Sequence, residues 1–188
     1  MLSNVSSNCP TPRGTHRYGL LWLTLWLLIA GCPSNPEPRS GDLIDPNAWQ
    51  SIEFSSGPFA ELASDESQCD SRGIKFEQGV LEIDTGLCSF YTGEQPLATS
   101  IRENDTVSFL IYHGALASTE PALGYVALQI GETIVFEREV PIPFSSQVYA
   151  DTITTDFEAP SGTPVYFHVH NHGANSWRMA HIRLNEEP

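Results

Sequence analysis

The chain has 188 residues, with 9 basic and 23 acidic side chains and a formal charge of −14. That acidic excess excludes nucleic acid as a partner, because such binding rests on cations that neutralise phosphates. The length suits one domain with a flanking segment, and the charge favours solubility.

The first 17 residues are polar, contain Arg13, His16 and Arg17, and hold no acid. An apolar run of 13 residues follows, from Tyr18 to Ala30. A positive flank, a short apolar core and small closing residues form a secretory signal. A helix of that length rises about 20 Å, whereas crossing a bilayer takes roughly 20 residues. The run is therefore read as a removable leader rather than a membrane span.

The run closes on Leu28-Ile29-Ala30-Gly31-Cys32. This stretch resembles the lipobox of bacterial lipoproteins. The resemblance implies lipid on the Cys32 sulfur, cleavage just before it, and a membrane as partner through that lipid. It also implies a cell-envelope location, with Pro33 after the cysteine favouring the outer membrane over the inner one. One acyl chain anchors marginally and two or more anchor stably. Loss of residues 1–31 removes two of the 9 basic residues and no acid, leaving 7 against 23 and a charge of −16.

Residues 32–46 read as the lipidated cysteine and a proline-rich tether, since three prolines follow within six positions of Cys32 and disfavour helix and sheet alike. Residues 47–188 read as the folded domain. Two cysteines remain there, Cys69 and Cys88, 19 positions apart. In an oxidising compartment such a pair is expected to form a disulfide.

Short alternating runs then recur in chain order. Ile52 and Phe54 alternate with polar residues, as do Ile74 with Phe76 and Leu81 with Ile83. The turn Glu103-Asn104-Asp105 precedes Thr106–His113, in which Val107, Phe109 and Ile111 are expected to face a core. Those three turn residues offer oxygens to a calcium ion, but short polar side chains there better suit a turn. Tyr125–Ile130 is nearly all apolar, and Gly131-Glu132 turns it into Thr133–Glu137. Ile153–Phe157, Thr163–His170 and Trp177–Leu184 complete the series. Strands of this length between Gly, Pro, Asn and Asp clusters predict an all-β, antiparallel β-sandwich. The final segment, from Gly162-Thr163-Pro164-Val165 through an Asn- and Gly-containing turn to a last strand, resembles the end of jelly-roll modules.

Three site readings follow. His168 and His170 stand at i and i+2 of a strand and so on one face, a start for a zinc or copper site if His113 or His181 joins them. His172 joins only if the strand continues. Tyr112, Tyr166, Trp177, Arg178, Asn171 and Asn175 offer flat faces and hydrogen bonds suited to a glycan. No nucleophile elbow, HExxH or P-loop occurs, so a non-catalytic domain binding a protein or glycan partner is expected, with no cofactor beyond that possible metal.

Overall fold

The computed structural model describes residues 39–185. Cys32, the leader and most of the tether lie outside the described residues. Eleven strands follow in order: β1 (Gly41–Asp42), β2 (Gln50–Ser51), β3 (Ile74–Glu77), β4 (Val80–Asp84), β5 (Phe90–Pro96), β6 (Thr106–His113), β7 (Ala122–Ile130), β8 (Thr133–Ile142), β9 (Gln147–Thr154), β10 (Pro164–His170) and β11 (Ser176–Asn185). Every pairing is antiparallel. A first sheet runs β3-β4-β11-β6-β9 with β1 beside β11, and a second runs β2-β5-β10-β7-β8. The protein is thus an all-β antiparallel sandwich, as the alternation predicts.

Period two decides what each strand buries. In β6, Val107, Phe109 and Ile111 are buried, and in β10 so are Val165, Phe167 and Val169. They meet in one apolar cluster drawn from both sheets. Phe109 of the first sheet packs on Phe136 of the second, with ring centroids 5.1 Å apart. The β7–β8 hairpin turns at Gly131, whose φ of 57° glycine adopts without steric cost.

Several boundaries differ from the sequence reading. The body begins before residue 47, because β1 pairs with Leu184 and Arg183 and Leu43 is fully buried. Arg39 reaches Asp105 at 2.6 Å, and the Asp105 carboxylate also accepts from the Arg102 amide at 2.7 Å. Those contacts occupy the carboxylate weighed for calcium, and Asn104 takes a turn conformation with φ 68°. The strand expected at Ile153–Phe157 lies instead at Gln147–Thr154. It is an exposed edge, so its burial pattern is faint in sequence. β5 was missed because Phe90, Tyr91, Thr92 and Gly93 are all buried and show no alternation.

Cys69 and Cys88 form the expected disulfide. It fastens the segment before β3 to the β4–β5 connection. Closing a loop of this separation contributes about 3 kcal/mol through the unfolded chain.

Ile52 and Phe54, read as a strand, leave the sheet after β2. Ser55-Ser56-Gly57-Pro58 breaks the extended run. The segment then crosses the outer face of the second sheet. Phe54 meets the edge of Phe90 at 5.3 Å. Phe59 lies flat on His168, with centroids 4.5 Å apart and planes 18° apart.

Candidate ligand-binding cleft

Beside that cover, the outer face of the second sheet is left partly open at His170, Tyr125 and Glu139, while Phe90 stays buried next to Phe54. Strand register sets Phe90, His170, Tyr125 and Glu139 side by side across β5, β10, β7 and β8. His170 and His172 have ring centroids 5.3 Å apart, although β10 ends at His170. The cleft they border measures ≈ 940 Å³, within the range of small-ligand sites. Leu62 and Leu123 line it. Both apolar side chains are exposed, at 42% and 58%. Ser118, Glu120 and Pro121 add a wall from the β6–β7 connection.

Buried hydrogen bonds hold those loops. The Thr85 hydroxyl donates to the Gly173 carbonyl at 2.7 Å and accepts from Asn171 Nδ2 at 2.9 Å. Asn175 Oδ1 accepts from the Ala117 amide at 2.7 Å, and its Nδ2 donates to the Ala117 carbonyl at 3.2 Å. Asn171 and Asn175 are therefore loop anchors, not the sugar contacts expected of them. At Gly124 an added Cβ would stand 2.7 Å from Asn171 Oδ1, so only glycine allows this approach.

Electrostatics follow from the same packing. Burial, and then His172, hold the His170 imidazole below its ordinary value. A neutral imidazole keeps one nitrogen as an acceptor. The Tyr125 hydroxyl donates to Glu137 Oε2 at 2.7 Å. Burial first, and then that bond, push its pKa upward.

The four histidines proposed as metal ligands do not converge. His168 and His170 share the outer face of the second sheet, as i and i+2 require, but His168 is fully buried and its Nδ1 lies 2.8 Å from the Thr92 hydroxyl. His113 belongs to the first sheet and faces the core, with its ring 4.5 Å from Trp177. Its Nδ1 donates to the Gly114 carbonyl at 2.6 Å. His181 is also on the first sheet, beside an irregularity in β11. Among the described residues, no three His, Cys, Asp or Glu side chains cluster as a metal site. Alternation in two separate sheets set these side chains apart, and no local spacing reveals that.

The expected glycan platform also divides. Arg178 lies over the Tyr112 ring at 5.6 Å and pairs with Glu82 at 2.7 Å. The two border a shallow cleft of ≈ 240 Å³ on the first sheet. Trp177, one residue earlier, points to the other face and is fully buried in the core. Tyr166 lies on the second sheet, near Gly57 of the cover. Sequence reasoning missed Tyr125, Glu120, Glu139 and Leu62. They come from β7, β8, the β6–β7 connection and the cover, and share no local sequence signal.

No protein-family model matches the chain, and no curated protein matches it. Solved structures resemble it in fold. A family 4 carbohydrate-binding module is 14% identical with a TM-score of 0.46, over 81% of this chain and 96% of that one. A family 29 module complexed with cellulohexaose is 10% identical with a TM-score of 0.43, over 80% and 92%. A family 61 module in complex with β-1,4-galactotriose is 13% identical with a TM-score of 0.42, over 78% and 99%. Identities and scores this low carry no function across.

Proposed function

We propose that this protein is a lipid-anchored envelope module that binds a glycan without cleaving it. The observation that carries the reading is the cleft itself. It sets a phenol ring and two imidazoles beside the apolar Leu62 and Leu123 and beside the carboxylates of Glu120 and Glu139. Sugar rings present apolar faces edged with hydroxyls. Flat side chains take the faces, and the carboxylates and the His170 imidazole accept from the hydroxyls. The rim is exposed, so a ligand enters from solvent.

Calorimetric titration of the mature protein with hexasaccharides tests the site. Tyr125→Ala is expected to weaken binding at least about tenfold, the loss typical of a central aromatic anchor. Tyr125→Phe keeps the ring and is expected to bind as the parent does. Full affinity in Tyr125→Ala would remove this cleft from consideration.

The anchor supplies location. Lipid on Cys32 would hold the sandwich at the outer membrane by the tether, and the acidic body would stand clear of anionic headgroups. Intact mass measurement is expected to find a chain starting at Cys32 and carrying acyl groups. Cys32→Ala should leave the membrane fraction. An unmodified sulfur at position 32 in the parent would overturn the anchoring.

A further inference from the structure

The cleft is unusual in its charge inventory. Besides its two histidines, its only acidic or basic lining residues are Glu120 and Glu139, and no Lys or Arg borders it. Neither carboxylate enters any of the side-chain ion pairs among the described residues, which engage Asp42, Asp70, Glu82, Asp84 and Asp105. The nearest basic residue in sequence, Arg138, alternates away from Glu139 along β8, and its guanidinium lies over Phe136 at 5.1 Å. A third carboxylate, Glu137, is one row along on the same outer face and accepts the Tyr125 proton. Five of the remaining basic side chains, Arg39, Arg72, Lys75, Arg178 and Arg183, are spent on other acids. Among the described residues, no Lys or Arg lines this cleft to offset its carboxylates.

Hydrogen-bonding capacity leans the same way. Carboxylates only accept, and the Tyr125 hydroxyl spends its proton on Glu137. Ser118 and an N–H on each imidazole remain as side-chain donors, and the four carboxylate oxygens tip the balance toward a ligand that brings donors. A uronate or a phosphorylated sugar would bring a like charge and a further set of acceptors, which costs affinity. An ammonium group brings three donors and the missing positive charge.

We propose that the cleft selects glycans bearing free amino groups, that is, amino sugars without an N-acyl cap. The inference rests on the glycan reading above and adds the chemical class of the sugar. The ring stacks against Tyr125 and the leucine rim, while its ammonium groups lie toward Glu120 and Glu139. N-acetylation removes the charge and two of the donors, so it abolishes the preference while leaving the ring faces intact.

The test uses the full mature protein in non-ionic detergent at low ionic strength. Four probes of equal length are titrated: β-1,4-linked hexamers of glucosamine, N-acetylglucosamine and glucose, and hexalysine. The glucosamine hexamer is expected to bind about tenfold tighter than the other two sugars, as two exposed ion pairs allow. That preference should shrink at 1 M salt, where the screening length is about 3 Å. The double variant Glu120→Gln with Glu139→Gln is expected to reduce the ratio to about twofold, a ratio that uniform loss of folded protein would not change. Equal binding of all three sugars would overturn the amine selectivity and leave the glycan reading standing. No sugar binding would overturn both. Hexalysine matching the glucosamine hexamer would overturn the sugar requirement and mark the cleft as a site for basic peptides.

Discussion

Trp177→Ala is expected to destabilise the protein by about 3–5 kcal/mol, the range for removing a large aromatic from a packed core. The indole is fully buried. It stands 4.5 Å from the His113 ring. Its Cζ2 also lies 3.5 Å from where a Cβ on Gly124 would be. β11 is flanked by β4 and β1 on one side and β6 on the other, so the cavity would open in the middle of the first sheet. Collapse into it is resisted by sheet pairing on both sides. A domain stable by about 5–15 kcal/mol would lose a large fraction of its margin. Urea unfolding of parent and variant reads the effect as a lowered midpoint. An unchanged midpoint with lost glycan affinity would return Trp177 to a binding surface.

Acid is expected to destabilise the fold through His168. Burial, with a smaller contribution from His170, pushes the imidazole down from 6.5 to about 3. Its surroundings explain the direction. Phe59 covers one face, and Phe90 approaches edge-on at 4.7 Å. The Thr92 hydroxyl meets Nδ1, and Nε2 has no protein partner. Tyr125 and His170 are the titratable groups nearest on the adjoining strand and the same strand. Between the two values the unfolded chain takes up a proton that the folded chain refuses. Stability is therefore unaffected by this group above pH 6.5 and falls by about 1.4 kcal/mol per pH unit below it. The loss levels off near pH 3, after about 5 kcal/mol from this residue. His168→Gln keeps an amide beside Thr92 and removes the titration. The difference between the two unfolding curves isolates the histidine from the carboxylates, which titrate in both proteins. An identical acid slope in parent and variant would refute the buried neutral imidazole.

The same residue illustrates how far sequence reaches. Placing His168 and His170 on one strand face required only the i, i+2 rule, and the structure agrees. What covers that face required knowing where residues 52–63 travel. The turn at Ser55–Pro58 redirects a stretch that looks like a strand, and Phe59 then makes His168 part of a packed interior. A metal-site reading and a buried-core reading share one sequence pattern and differ only in this distant contact.

Composition, period and cysteine count determined the acidic character, the antiparallel sandwich, the inner faces of β6 and β10 and the Cys69–Cys88 bridge. These features depend on neighbours in sequence, or on pairing two thiols when only two are at hand in the body. Tertiary structure alone decided that Trp177 is core, that Leu43 belongs to the body, and that Leu62, Glu120, Tyr125, Glu139 and His172 border one cleft. Those five residues come from four separate strands and connections and from the cover, and strand pairing between residues far apart brings them together. Alternation tells which way a side chain points. Only the closed arrangement of two sheets and their loops tells what it meets there.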